Sequence, residues 1–269
     1  MLSRLFLFLI FLTACQTPPP TPPPAPTAVS PQILRIGVAT SILPLAGLIA
    51  EPYQQTAGNV MAQFVPGNTA VLLADLEAGR LDAVLSPYVP AGETGWFNPV
   101  ALDGLVLVTH PDNPVTDLSL AEAQAMFNGR ITNWSALGGP AQPITLISRE
   151  EGSGTGALFQ NRVMAEQRIN VNAQVQTGDE ALRAAVAANP AAIGYSMMGG
   201  AAAGVKILAV DGRVATPQTV QEQSYPLTTP VYFINQTDRK PDGALRNFLA
   251  WLQSPAGQEI VGARYGRVR

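Results

Sequence analysis

Apolar residues in this chain come in short runs broken by small or polar residues, and the period of the runs changes along the sequence. Residues 33–38 (Ile-Leu-Arg-Ile-Gly-Val) and 60–65 (Val-Met-Ala-Gln-Phe-Val) are short and largely apolar, and predict strands. Between them, 43–55 has helical spacing, with Pro44 near its start and Pro52 near its end. A second helix is predicted over 69–78, where Val71, Leu72 and Leu76 share a face, and a third strand over 81–85. Strand, helix, strand, helix, strand implies a parallel sheet with right-handed crossovers.

A longer apolar strand, 102–109 (Leu-Asp-Gly-Leu-Val-Leu-Val-Thr), runs into His110-Pro-Asp-Asn-Pro114. Two prolines so close together make an extended connector, read here as a crossing between domains. Beyond it the alternation resumes: helix 120–127, strand 143–148, helix 155–166, helix 178–188 and strand 192–195. Residues 225–234 read as a return strand, and helices over 242–253 and 256–265 close the chain. The expected fold class is therefore α/β, with two lobes, two crossings and a cleft where strand carboxyl ends face each other. Lobe one comprises 33–110 plus 226–269, and lobe two 111–225.

The first residues break this pattern. Arg4 precedes an unbroken apolar run over 5–12, and Leu12-Thr-Ala-Cys15 has the small-residue, cysteine-ended form of a lipoprotein cleavage site. Eight apolar residues fall short of the roughly 20 that span a bilayer. Residues 1–14 are thus expected to be a signal peptide, and Cys15, the only cysteine, to carry the lipid. Residues 15–32 hold Pro18, Pro19, Pro20, Pro22, Pro23, Pro24, Pro26 and Pro31 and predict an extended tether, at about 3.1 Å per residue. The expected location is outside the cytoplasm, on the membrane surface.

Composition narrows the possibilities. Apolar residues make up 47% of the chain and charged residues 13%, with a net charge of −3 and no basic cluster, so a core is easily built and nucleic acid is not an expected partner. One histidine and one cysteine leave no zinc set and no Cys/His dyad, and no cofactor is expected. His110 reads as a connector residue, and Trp134 and Trp251 as packing.

Candidate chemistry concentrates in Arg149-Glu-Glu-Gly-Ser-Gly-Thr155. A strand end, a turn of small residues and a helix start bring free N–H groups, two hydroxyls and a guanidinium to one place, a combination suited to an oxyanion. Ser153 is not read as a nucleophile, because Gly152-Ser-Gly-Thr-Gly156 is out of register with G-x-S-x-G and no base accompanies it.

Five motifs then stand in order: His110-Pro-Asp-Asn-Pro-Val115, Ile131-Thr-Asn-Trp-Ser-Ala-Leu-Gly-Gly139, Arg149 to Thr155, Ala187-Ala-Asn-Pro-Ala-Ala-Ile-Gly-Tyr195 and Tyr225-Pro-Leu227. Together they resemble the phosphate-binding protein of the bacterial phosphate ABC importer, with the type II periplasmic-binding-protein fold, over 33–269. The resemblance implies that phosphate or a similar oxyanion is held between the lobes and delivered to an ABC permease by a monomeric, non-enzymatic protein. It implies ligand roles for Arg149, Ser153, Gly154 and Thr155, for Thr40 and Ser41 in the first βα turn (after Ala39), and for Asn68 and Thr69 in the second (after Gly67). After the third strand the family has a small residue or Ser, matched here by Ser86, which is a further candidate ligand residue. At the next position the family has an Asp that accepts the proton of hydrogen phosphate, and here stands Pro87, so the identity of the ion is left open. Glu150 or Glu151 are candidate substitutes. Tyr88 and Trp96 are expected in a loop over the cleft. A sensor lipoprotein that signals to a membrane partner without transport is the alternative function.

Overall fold

The computed structural model describes residues 30–92, 95–201, 204–236 and 240–268; the signal peptide, Cys15 and most of the tether lie outside the described residues. Strand β1 (Gln32–Ala39) pairs in parallel with β2 (Val60–Gly67) on one side and β3 (Ala83–Ser86) on the other. Helices α1 (Leu43–Thr56) and α2 (Thr69–Glu77) make the two crossovers. The βαβαβ expectation from apolar spacing is met because β3 and most of β1 are buried, β2 is half-buried at the sheet edge, and the helices each bury one stripe, Leu45, Ala46, Ile49 and Tyr53 for α1 and Leu72 and Leu76 for α2.

Strand β4 (Trp96–Thr109) is 14 residues long and starts before the predicted strand. The extra residues include Asn98 and Pro99 and show alternating exposure, which hides them from an apolar-run criterion. Trp96, expected in a loop, is therefore the first residue of this strand and packs edge-on to Phe233.

The remaining elements follow in order: β5 (Asp117–Leu118), α3 (Leu120–Phe127), β6 (Thr145–Arg149), α4 (Gly154–Phe159) and β7 (Gln174–Gln176). Next come α5 (Asp179–Ala187), β8 (Ala192–Met197), β9 (Lys206–Ile207), β10 (Ala209–Val210) and α6 (Pro217–Gln221). Strand β11 (Thr228–Asn235) and helices α7 (Gly243–Leu252) and α8 (Pro255–Gly262) complete the chain. The helix predicted over 155–166 stops at Phe159 and passes into a wider π turn over Gln160–Met164.

One sheet runs in the order β2-β1-β3-β11-β4-β8-β6-β7. Its continuity depends on β4. Residues Trp96–Gly104 pair antiparallel with β11, and Leu105–Thr109 pair antiparallel with β8. The exchange of partners occurs at Gly104/Leu105, upstream of His110, while His110–Asn113 forms a turn in which Asp112 N donates to His110 Nδ1 (3.1 Å). Tyr225 straps the exchange point: its hydroxyl donates to Leu105 O (2.9 Å), and its ring lies 3.1 Å from where a Cβ on Gly104 would stand. Glycine is required there by that close approach.

Candidate functional site

Arg149 is the last residue of β6, and its side chain is only 2% exposed. Its backbone is fixed from the neighbouring strand: Arg149 N donates to Tyr195 Oη (3.1 Å), which also shares a proton with Ser148 Oγ (2.9 Å). The Tyr195 ring stacks on Phe159, the last residue of α4, with centroids 3.9 Å apart, so the strand end and the helix are locked together. The chain then turns through Gly152, whose φ of +80° a side chain would strain. Ser153 caps α4, its Oγ accepting from Gly156 N (3.2 Å), and keeps its own proton to donate.

The guanidinium has three edges with three different fates. Nε and Nη2 donate to Glu150 Oε2 (2.9 Å) and Oε1 (3.1 Å). Nη2 also donates to Thr40 Oγ1 (3.2 Å), a bond that joins the turn after β1 to the end of β6. Nη1 has no hydrogen-bond partner, although Asp179 Oδ1 stands 3.7 Å away. The fork that the sequence assigned to an anion is thus held by Glu150, and Nη1 is the donor left over.

The wall opposite is built by α2. Asn68 caps it, its Oδ1 accepting from Ala70 N (3.0 Å), and its amide reaches across to Glu150 Oε1 (3.1 Å) and Glu151 O (3.0 Å). Ala70 N also donates to Gly152 O (3.1 Å). The two helix starts nearly touch: a Cβ on Gly154 would stand 2.6 Å from Thr69 Oγ1 and 3.3 Å from Ser86 Oγ. Thr69 Oγ1 and Thr155 Oγ1 are both buried and have no hydrogen-bond partner. Ser41 is buried, and its carbonyl lies 3.1 Å from the Cβ position of Gly200.

Thr40, Thr69, Arg149, Ser153, Gly154 and Thr155 therefore converge as the sequence suggested. Asn68 and Ser86 converge too, but their polar atoms serve the protein. Asn68 holds the Glu150 loop, and Ser86 Oγ donates to Tyr88 O (2.8 Å) and accepts from Tyr88 N (3.1 Å). Pro87 follows β3, and its carbonyl accepts from Thr229 Oγ1 (3.4 Å). Cavities flank the meeting line, one of about 480 Å³ along Thr69, Arg149, Ser153 and Tyr195 and one of about 470 Å³ along Thr40, Gly178, Asp179 and Arg183.

Two carboxylates dominate the local field, and the sequence reading named only one. Burial tends to raise the Glu150 carboxyl, but the hydrogen bonds and charge of Arg149 and the N–H of Gly178 outweigh it, and its pKa lies below the ordinary range. It stays ionised. Asp179, in the first turn of α5, is 2% exposed and accepts from Ser196 Oγ (3.0 Å to each oxygen) and Arg183 Nε (3.1 Å). There burial prevails over Arg149, Ser196 and Arg183, and the pKa is raised. Nothing local marked Asp179, which stands far along the chain from Arg149.

The arrangement leaves buried donors of Arg149, Thr69 and Thr155 without protein acceptors. Ser153 Oγ faces a backbone N–H rather than a base, and His110 lies in the turn after β4. Among the described residues no cluster of three or more His, Cys, Asp or Glu could hold a metal ion.

The profile of the PBP superfamily domain matches residues 25–256. This chain belongs to that superfamily. The phosphate-binding protein PstS of Bacillus subtilis (strain 168) is 26% identical over 244 residues, covering 87% of this chain and 80% of the relative. Among solved structures, a putative phosphate ABC transporter substrate-binding protein with bound phosphate from Clostridium perfringens superposes with a TM-score of 0.83. It is 28% identical, and the match covers 88% of this chain and all of the other. An ABC-type phosphate transport receptor from Vibrio cholerae has the same fold, at 24% identity, with a TM-score of 0.69 over 87% of this chain and 99% of its own. The sequence resemblance and the α/β clamshell of type II binding proteins are thus both borne out, and these relatives are solute-binding proteins rather than enzymes.

Proposed function

We propose that this protein is a lipid-anchored, extracytoplasmic solute-binding protein that captures phosphate or a related tetrahedral oxyanion and delivers it to an ABC permease. The observation that carries the reading is that three of the candidate site residues each bury a group with no hydrogen-bond partner: Arg149 Nη1, Thr69 Oγ1 and Thr155 Oγ1. Buried polar groups without partners are costly and uncommon, and three of them on these residues fit a ligand that supplies the missing bonds. Backbone N–H groups of Gly154 and Thr155, which the first turn of α4 does not use internally, add donors. The names of the relatives support phosphate as the ion and an ABC importer as the recipient.

In this reading 33–110 with 226–269 forms one lobe and 111–225 the other, and the ligand favours the closed pair by touching both. Cys15 carries the lipid and 15–32 is the tether. No helix of the described residues is long and apolar enough to cross a membrane. The protein acts as a monomer.

The test is calorimetric titration of phosphate into the protein and its Arg149→Ala variant, with thermal unfolding followed in parallel. Removing the charge that faces the ion lowers affinity by about two orders of magnitude or more. A folded variant with unchanged affinity would sink the assignment.

A further inference from the structure

We propose that Asp179 is the residue that discriminates among tetrahedral anions at this site, by accepting the proton of a protonated ligand oxygen while Arg149 Nη1 donates to the oxygen beside it. The inference rests on the oxyanion-binding reading above and adds a specificity residue to it.

Acceptor capacity decides which carboxylate can do this. Each carboxylate oxygen accepts about two hydrogen bonds. On Glu150, Oε2 takes Arg149 Nε and Gly178 N, and Oε1 takes Arg149 Nη2 and Asn68 Nδ2. Glu150 is therefore full, and it cannot fill the role left open by Pro87. On Asp179, Oδ2 takes Arg183 Nε and shares the Ser196 hydroxyl with Oδ1. Oδ1 retains an unused lone pair, and it is the oxygen that stands 3.7 Å from Arg149 Nη1. That separation is too long for a hydrogen bond. An unused acceptor thus lies beside an unused donor, both buried, at a spacing that adjacent oxygens of one tetrahedral anion can bridge.

The surroundings hold Asp179 in place and make it sensitive to protons. Ser196 from β8 orients the carboxylate, Arg183 from its own helix and Arg149 from β6 attract it, and the Asp103 carboxylate from β4 repels it. Tyr265, beyond α8, also feels its charge, and Glu150 shares Arg149 with it. Burial outweighs the two arginines, so protonation of Asp179 is easier than for an ordinary carboxyl. The ionised form accepts from hydrogen phosphate. Against sulfate, which brings no proton, two acceptors would face each other.

The experiment titrates phosphate and sulfate into wild type, Asp179→Asn and Ser196→Ala proteins at about pH 8, where phosphate is chiefly the dianion with one proton left to donate. Wild type is expected to prefer phosphate. Asp179→Asn is expected to lose about tenfold or more of that preference. Ser196→Ala, which keeps the acceptor and removes only its support, retains the preference. A folded Asp179→Asn that still prefers phosphate overturns the proposal, as does wild type that binds sulfate as tightly as phosphate. The second criterion needs no variant and stands if the Asn protein fails to fold. Wild type that binds neither anion overturns the oxyanion reading itself, a distinct result.

Discussion

Thr69 and Thr155 each bury a hydroxyl with no hydrogen-bond partner in the protein, and that makes their value conditional on a ligand. A buried, unpartnered hydroxyl costs about 1–3 kcal/mol. Thr155→Val keeps the shape and removes that cost, so the free protein is expected to melt at the same temperature or slightly higher. Phosphate affinity is expected to fall by about tenfold, because the bond formed only with the ligand is gone. Thermal unfolding with and without phosphate measures both, and a variant weakened in both states would show that Thr155 serves the fold instead. This residue was legible in the sequence because a helix start after a glycine turn is a local feature. The roles of Glu150 and Asp179 were not. Glu150 lies next to Arg149 in sequence, but its capture of the guanidinium fork depends on Gly178 N and Asn68 Nδ2, which arrive from other elements. Asp179 reaches the site only through the pairing of β6 with β7 and the turn that follows it.

At the scale of elements, the site is the approach of the α2 start to the α4 start, and Gly154 sets how near they come. A Cβ there would lie 2.6 Å from Thr69 Oγ1. Alanine is about 1 kcal/mol better than glycine inside a helix, so α4 itself should not suffer from Gly154→Ala. The walls should be wedged apart. The expected outcome is a melting temperature of the free protein that is unchanged or raised, with phosphate affinity lowered by about tenfold or more in calorimetry. Unaltered affinity would mean that the two starts have room to spare. Elements carried by strong apolar periodicity, such as α1, α2 and α5, were readable because burial of one stripe is what forms them. The early part of β4 was not, since Asn98 and Pro99 interrupt its run and only pairing with β11 makes it a strand. The π turn at Gln160–Met164 likewise follows from packing against α3, where Gln124 Nε2 donates to Val163 O (3.0 Å), rather than from local spacing.

The whole molecule is joined through the partner exchange in β4, and Asp103 sits just before it with no exposure at all. Its Oδ1 accepts from Gly104 N (2.7 Å) and from Gly199 N (3.0 Å), so one carboxylate ties the exchange point to the segment after β8. Oδ2 and the nearby Tyr265 Oη are buried and unpartnered. Burial pushes the Asp103 carboxyl to about 7, against the two N–H bonds and with help from the charge of Asp179. The unfolded chain would release this proton at about pH 4. Between those values the folded state holds a proton that the unfolded state has lost, so stability from this group is fully present below about pH 4 and is lost as pH rises to about 7. Asp103→Asn keeps the acceptor for Gly104 and Gly199 and removes the titration. Relative to wild type it is expected to gain stability progressively from about pH 4 to about pH 7, with the difference constant above that. Melting temperatures of the two proteins across this range decide the matter, and a constant difference at every pH would mean that Asp103 does not hold its proton. Because the carboxylate bridges the crossing, the same variant separates stability from function. If phosphate affinity is unchanged while stability rises relative to wild type between about pH 4 and about pH 7, Asp103 sets how firmly the two halves of the sheet are joined and leaves the anion to the residues around Arg149.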